Sequence, residues 1–342
     1  MTIALDATYA VGQELSGVGL YSREILAGLA GFEPEVRFEF WCRAHRFFRP
    51  GDLPQASNAR RRLLAEPWGP RSADLFHGLN QRLPRMRLRR TVATFHDLFV
   101  MTGEYSTPEF RARFTEQARD AAARADALIA VSAFTKSQMV ALLGVEAAKV
   151  RVIHHGTRKL AFPETPRQPV VLSVGTIQTR KNTARLVDAF EVLDPEWRLV
   201  LAGGLGYGAA EILERIERSP ARDRITITGY IPRSDLAMWY ARAMIFAFPS
   251  LDEGFGMPVL EAMAAGTPVI TSSRSAMPEV AGDAARLVDP EDLDGLRRAL
   301  SDLSEDPALR RELAHKGLQR ATRFTWEKAV RETWDVYKRL LG

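Results

Sequence analysis

Along the chain, short apolar runs alternate with stretches in which apolar residues return every third or fourth position. In the first half, IALDA, EVRFEFW, DLFHG, TVATFHD, ALIAVS and VRVIHHG read as strands; GLYSREILAGLA, Pro108 to Ala125 and AFTKSQMVALLG read as helices. Ser132 is a good N-cap for the last helix, and Gly144 is a natural stop. The proline-rich RKLAFPETPRQP has no helical period and reads as a linker. A second series follows, with strands PVVLSVG, WRLVLAGG, RITITGY, MIFAFPS, PVITSS and ARLVD, and helices NTARLVDAFEVL, GAAEILERIERS, SDLAMWYARA and VLEAMAAG. This alternation predicts an α/β protein: two doubly wound domains of parallel strands facing a cleft, over residues 1–160 and 161–325. Three helical stretches close the chain without an intervening strand, and the last, residues 326–342, is expected to cross back onto the first domain.

Length and composition fit this picture. At 342 residues with 46% hydrophobic content, the chain can fill two cores. The lone cysteine, Cys42, excludes an intrachain disulfide and fits a reducing compartment. MTIALDATYAVG lacks the basic and apolar regions of a signal peptide, and AMIFAF and ALIAV are too short to span a bilayer. A soluble, cytoplasmic protein is expected. Charge is uneven: residues 1–164 carry 23 Lys and Arg against 17 Asp and Glu, whereas residues 165–342 carry 24 against 25. Arginine is dense in Arg60–Arg62 and in RLPRMRLRR. Such a basic half suits a nucleic acid, a phospholipid surface or a phosphorylated acceptor, or is simply a well-solvated surface.

Candidate chemistry concentrates in DEGFGMPVLEAMAAGTPVI, from Asp252 to Ile270. Gly254 and Gly256 allow the backbone to approach a ligand, and Pro258 suits the first turn of a helix. The N–H groups of Val259 and Leu260 would then point from a positive helix end towards a phosphate. Glu261, one turn in, can accept two O–H groups of a vicinal diol such as ribose, and Glu253 would stand across the phosphate from it. In SVGTIQTRKNTARLVDAF, Arg180 and Lys181 stand where a helix begins, opposing its dipole by a few tenths of a kcal/mol each. A bound diphosphate would explain both cations, with no metal needed.

Other segments carry weaker signals. Gly17 and Gly19 in SGVGLYSREIL resemble part of a dinucleotide fingerprint, but Ser22 replaces its third glycine and no acid ends the second strand, which disfavours NAD. TFHD puts His96 and Asp97 at the carboxyl end of a strand. His154 and His155 lack partners at metal-ligand spacing, and Asp292–Asp294 reads as a helix cap rather than a metal pair.

Taken together, DEGFGMPVLEAMAAGTPVI, SVGTIQTRKN, ADALIAVSAFTKSQM, GVGLYSREIL, TFHDLF and MPEVAGDAARLVDPED resemble, in order, the family-four retaining glycosyltransferases of GT-B fold, built from two Rossmann-like domains. The form of TFHDLF and the short first domain are similar to bacterial mannosyltransferases of surface-polysaccharide assembly. The resemblance implies a nucleotide-sugar donor, most naturally GDP-mannose, a glycan or lipid-diphosphate-linked acceptor, no cofactor and no metal. It implies that Gly175, Arg180 and Lys181 serve the donor diphosphate, with Met257, Pro258 and Val259 lining it and Gly17 and Gly19 closing over it. Glu261 would hold the ribose, and Tyr230 and Ile231 would contact the base. Glu253, with the backbone of Gly254, Phe255 and Gly256, would hold the sugar. His96, Asp97 and Glu253 would support the reacting centre electrostatically. The segment TYAVGQELSG is short where many relatives carry an extended acceptor loop.

Two rivals remain at this level. A nucleotide-sugar epimerase would use similar paired domains. A nucleic-acid-binding protein would use the basic half, but no helix-turn-helix, zinc pattern or stacking platform supports one.

Overall fold

The strand–helix alternation resolves into two parallel sheets in a computed structural model. It describes residues 1–12, 15–49, 53–157 and 160–342, with residues 233 and 234 described by backbone alone. Gln13 and Glu14 of the segment after the first strand, and Arg158 and Lys159 of the linker, lie outside the described residues.

The first unit comprises Met1–Thr102, Pro108–Gly156 and Thr325–Gly342. Its strands are β1 (Thr2–Asp6), β2 (Arg37–Arg43), β3 (Ala59–Leu64), β4 (Leu75–Gly78), β5 (Thr91–Phe95), β6 (Ala127–Ala130) and β7 (Val150–Val152). They run in the order β3-β2-β1-β4-β5-β6-β7, all parallel, so the order reverses between β1 and β4. Helices α1 (Gly17–Phe32), α2 (Ala44–Phe47), α3 (Phe99–Thr102), α4 (Pro108–Arg124) and α5 (Ala133–Leu143) connect them. Central strands β4 and β5 are buried along their whole length, as expected of strands covered on both faces. Ala118, Ala121 and Ala122 of α4 pack against Phe76, Ala93 and Phe95, their small side chains bringing helix and sheet close. Ser132 caps α5 by accepting from the Thr135 N–H at 2.9 Å, and Gly144 ends it in the left-handed region, at φ 67°.

Strand β3 departs from the sequence reading. Its ARRRLL carries the arginine run taken as a patch for an anionic partner, yet it pairs residue by residue with β2. It is an edge strand whose Arg60 and Arg61 are exposed, so the continuous apolar run that marks an inner parallel strand is missing.

The second unit comprises Gly103–Thr107 and Thr157–Phe324. The boundary thus falls after Gly156 rather than residue 160, and a short piece of the first half groups with the second unit. Strands β8 (Gln168–Val174), β9 (Arg198–Ala202), β10 (Ile225–Gly229), β11 (Ala243–Phe248), β12 (Val269–Ser272) and β13 (Arg286–Val288) form a parallel sheet in the order β10-β9-β8-β11-β12-β13. Its helices are α6 (Thr183–Phe190), α7 (Ala209–Glu217), α8 (Arg233–Arg242), α9 (Met257–Ala264), α10 (Met277–Ala281), α11 (Leu293–Glu305) and α12 (Pro307–Ala321). The core gathers Val171, Leu199 and Ile245 from the sheet against Leu186 and Phe190 of α6 and Leu296 and Leu300 of α11. Asp292 caps α11 by accepting from the Gly295 N–H at 2.9 Å, as the sequence suggests for the DLD run.

The last helix, α13 (Trp326–Leu341), belongs to the first unit, where it packs on α1. The approach is tight: a Cβ on Gly28 would lie 2.3 Å from Val330 Cγ2, so only glycine fits there. A buried polar chain reinforces it. His77 meets the Tyr337 hydroxyl at 2.6 Å and Thr94 Oγ1 at 2.8 Å, and Tyr21 meets Thr94 at 3.0 Å.

Candidate functional site

In the second unit the strand order reverses between β8 and β11, and beyond the carboxyl ends of these two strands the site assembles. The chain leaves β8 through Gly175, whose φ of 140° suits glycine. Gly175 must also meet backbone closely, because a Cβ on Gly203 would lie 2.0 Å from its carbonyl oxygen. A 3-10 turn, Thr179–Lys181, then carries Arg180 and Lys181 just ahead of α6. Asn182 breaks from that turn in the left-handed region at φ 59°, which asparagine tolerates. Its side-chain amide donates to the carbonyls of Pro249 at 3.1 Å and Pro290 at 2.7 Å, tying the turn to the loops after β11 and β13. Leu251 N–H donates to the Arg180 carbonyl at 2.9 Å, a second tie between the same loops.

This framework brings Arg180 and Lys181 onto one carboxylate. Arg180 Nη1 lies 3.0 Å from Glu253 Oε2, and Lys181 Nζ lies 2.5 Å from Glu253 Oε1. Arg180 also donates to the Asp252 carbonyl, and the Lys181 ammonium sits 4.5 Å from the centre of the Phe248 ring. Both cations and the acid are largely buried. Burial alone would raise the Glu253 pKa, but the charges and hydrogen bonds of Arg180 and Lys181 outweigh it and hold the carboxyl at about 2. Glu253 is therefore an anion across the physiological range, and the two cations are oriented before any ligand arrives.

The glycine turn leads into α9 much as its residues suggest. Gly256 takes φ 102° ahead of the helix and Pro258 lies in its first turn. One expectation fails: the Val259 N–H is not open to a phosphate, since it donates to the Gly256 carbonyl at 3.0 Å in a tight first turn. Glu261 is buried, and its Oε2 accepts from the Tyr240 hydroxyl at 2.9 Å. Glu253 thus meets two cations, and Glu261 accepts from the Tyr240 hydroxyl. Phe255 is buried against Phe324, edge to face with ring centres 5.9 Å apart. Tyr230 follows Gly229 at the end of the edge strand β10 and is half exposed, with Ile231 partly buried beside it.

The other expected residues lie in the first unit. His96 is buried at the end of β5, where its Nε2 meets the Leu79 carbonyl at 2.9 Å. A carbonyl only accepts, so Nε2 carries the proton and Nδ1 is the remaining polar atom of the ring. Burial lowers its pKa to about 4, so it is neutral near pH 7. Its ring sits 4.7 Å from Tyr21 and 5.4 Å from His155, which is itself buried against Tyr21 and Trp326. His155 is thus a packing residue; burial holds its pKa well below the ordinary histidine value. Asp97, next along the chain, is half-buried. Gly17 opens α1 and is exposed. The Gly19 N–H meets the Ser16 hydroxyl at 3.3 Å, and a Cβ there would lie 2.7 Å from the Tyr9 carbonyl oxygen. Local packing therefore already requires glycine at position 19. Among the described residues no group of His, Cys, Asp and Glu is placed to hold a metal ion, and no helix is long and apolar enough to cross a membrane.

Sequence reasoning missed Asn182 and Tyr240. Asn182 directly follows the Arg-Lys pair and could have been read as a left-handed turn residue. Tyr240 gave no signal, because its link to Glu261 depends on how α8 and α9 pack.

Residues 158–320 match the family described as Glycosyl transferases group 1, and residues 23–158 match Glycosyltransferase Family 4. The O-antigen chain mannosyltransferase B of Escherichia coli is 33% identical over 284 residues, which cover 78% of this chain and 74% of that protein. The serotype-specific mannosyltransferase WbdA of the same species is 28% identical over 74% of this chain, which spans only 34% of its length. Among solved structures, a sucrose-phosphate synthase from Thermosynechococcus elongatus superimposes with a TM-score of 0.82 at 24% identity, covering 99% of this chain and 98% of that one. HepE from Anabaena, solved in complex with UDP-glucose, gives a TM-score of 0.74 at 18% identity over 98% of this chain and 99% of its own. The fold is the two-domain, parallel-sheet α/β fold of the GT-B glycosyltransferases. The chain belongs to the group 1, family 4 glycosyltransferases.

Proposed function

We propose that the protein is a retaining mannosyltransferase that takes mannose from GDP-mannose and adds it to a growing glycan carried on a lipid diphosphate. The observation that carries this reading is the Arg180–Lys181–Glu253 cluster at the point where strand order reverses, in a chain 33% identical to an O-antigen mannosyltransferase. Arg180 offers a fork to the donor diphosphate and Lys181 a point charge, so the departing phosphate is neutralised by side chains rather than a metal. Glu253 holds both cations in place and has a carboxylate to offer the hydroxyls of the sugar. Glu261 takes the ribose, oriented by Tyr240. Stabilising charge fixed before the reaction begins lowers the barrier without reorganisation during the step. The acceptor hydroxyl attacks on the face the diphosphate leaves, and that phosphate takes its proton. His96, neutral and fixed by Leu79, and Asp97 position the sugar. The basic first unit draws the protein to the anionic inner face of the membrane, an attraction that weakens with salt.

Family membership leaves no observation in favour of epimerisation. The test is incubation with GDP-mannose, UDP-glucose and other nucleotide sugars, with a diphospholipid-linked acceptor. Transfer of mannose from GDP-mannose, with an α-linked product by NMR, is expected. A β-linked product, preference for another donor, or epimerised nucleotide sugar without transfer would overturn the reading.

A further inference from the structure

Apart from the charged cluster of the second unit, a cavity of about 280 Å³ lies wholly within the first. This is close to the lower end of small-ligand pockets, about 300 Å³. Arg43, at the end of β2, and Arg82 and Arg85, after β4, bring three guanidinium groups to it, and Arg113 on α4 brings a fourth. Glu66, Glu116 and Asp120 also line it. Asp120 is already paired, with Arg124 at 2.8 Å. Four guanidiniums therefore face two remaining carboxylates, an excess of two positive charges. Among the described residues, no ion pair engages the guanidinium of Arg82, Arg85 or Arg113; the Arg85 main-chain N–H donates to Glu66 Oε1 at 3.1 Å, and the Arg113 guanidinium lies 5.5 Å from the centre of the Phe110 ring. Arg43 Nη2 is buried without a hydrogen-bond partner, and the nearest approach of Arg43 to a carboxylate is a distant 4.0 Å, to Asp6. Burial, and after it the neighbouring Arg43 charge, lowers the Arg82 pKa, with Tyr9, Asp6 and Glu66 opposing the shift.

Gathering four guanidiniums around a concave site with too few carboxylates to balance them costs stability, and an anion returns it. Glu116 and Gln117, consecutive in α4 and both lining the cavity, add acceptors and an amide that suit sugar hydroxyls. We propose that this cavity binds the phosphate-bearing end of the acceptor, a phosphate ester or diphosphate attached to a hydroxyl-rich ring. Arg43, Arg82 and Arg113 hold the phosphate, and Glu116 and Gln117 hold the ring. The assignment of that ligand as acceptor rests on the transferase reading above; the anion site itself does not.

The experiment titrates the wild type, Arg82→Ala and Arg113→Ala by calorimetry with two probes. One is mannose 6-phosphate, a soluble ester; the other is a short-chain polyprenyl-diphosphate-linked sugar. GDP is titrated alongside to report on the second unit. Arg113 is exposed on its helix, so its variant keeps the fold even if Arg82→Ala does not. At least one probe is expected to bind the wild type and to bind each variant ten or more times more weakly, with GDP affinity unchanged within twofold. Tighter binding of the first probe marks a soluble source for the phosphate, and tighter binding of the second a lipid-linked one. Failure of both probes to bind the wild type overturns the proposal, as does equal affinity in the Arg113→Ala variant. Weakening by Arg180→Ala instead overturns it too, by placing the phosphate in the second unit. Retained cavity binding without mannosyl transfer would sink the functional reading alone.

Discussion

Arg180 and Lys181 close on Glu253 in the second unit, and every charge there has an opposite charge within 3.0 Å. In the first unit the guanidiniums of Arg82, Arg85 and Arg113 face a cavity with no ion pair to a carboxylate among the described residues. Both places lie beyond the carboxyl ends of strands in a parallel sheet, where such sheets place ligands. The difference lies in what each must hold. Internal pairing fixes the cations of the second unit at set positions, which suits stabilising a charge that develops on a diphosphate at a defined point. Open arginines in a concave site suit binding an anion whose charge does not change.

The contrast breaks most directly by removing one acid from each place. Glu253→Gln leaves two buried cations without a counter-charge, which should cost about 3–5 kcal/mol of stability. Sugar transfer should fall by about 10²–10³, the usual loss for a fixed electrostatic group. Glu116→Gln, on an exposed face, should stay within about 0.5 kcal/mol. Denaturant midpoints and initial rates check both. Equal losses in the two variants would show that the first unit's charges are paired after all.

Acid sharpens the same comparison. The folded Glu253 carboxyl titrates at about 2, below its ordinary 4.5. A depressed carboxyl contributes stability that is fully present above about pH 5 and is lost as pH falls through the folded value. Unfolding followed from pH 6 to 2 should show this loss in the wild type and a flatter profile in Glu253→Gln. An unchanged acid limb in the variant would mean that other carboxyls carry it.

What could be read from the residues, and what could not, follows the same division. The strand ends Val174 and Phe248 and the turn with Arg180 lie in continuous motifs, so local pattern was enough to place them. The Ser132 cap and Gly144 stop are local too. Strand β3 was hidden because an edge strand has no need of apolar residues on both faces, and its arginines mimicked a binding patch. The cavity was hidden for a different reason: Arg43, Arg82 and Arg113 come from separate connections and meet only once the sheet order is set. The Tyr240 hydroxyl on Glu261 is not legible locally, because nothing near Glu261 in the chain announces a tyrosine from the preceding helix. At Gly19 the local pattern shows only that glycine is present; that the Tyr9 carbonyl excludes a side chain there emerges once the chain is folded.

Two buried hydroxyls offer the finest test, because removing either costs little and only one stands beside the proposed donor site. Tyr240 donates to Glu261 at 2.9 Å, and Tyr337 meets His77 at 2.6 Å between α13 and the sheet. Each tyrosine to phenylalanine change removes one hydrogen bond, about 1 kcal/mol net. In Tyr337→Phe that loss should appear only as a lower melting temperature, with kinetic constants unchanged. In Tyr240→Phe the carboxylate proposed to hold the ribose loses one hydrogen-bond donor. The KM for the nucleotide sugar should rise about fivefold while kcat holds, because the ribose is bound equally in ground and transition states. A kcat effect instead would move Glu261 from holding the donor to supporting the reacting centre. An unchanged KM would leave Tyr240 as packing alone, no different in kind from Tyr337.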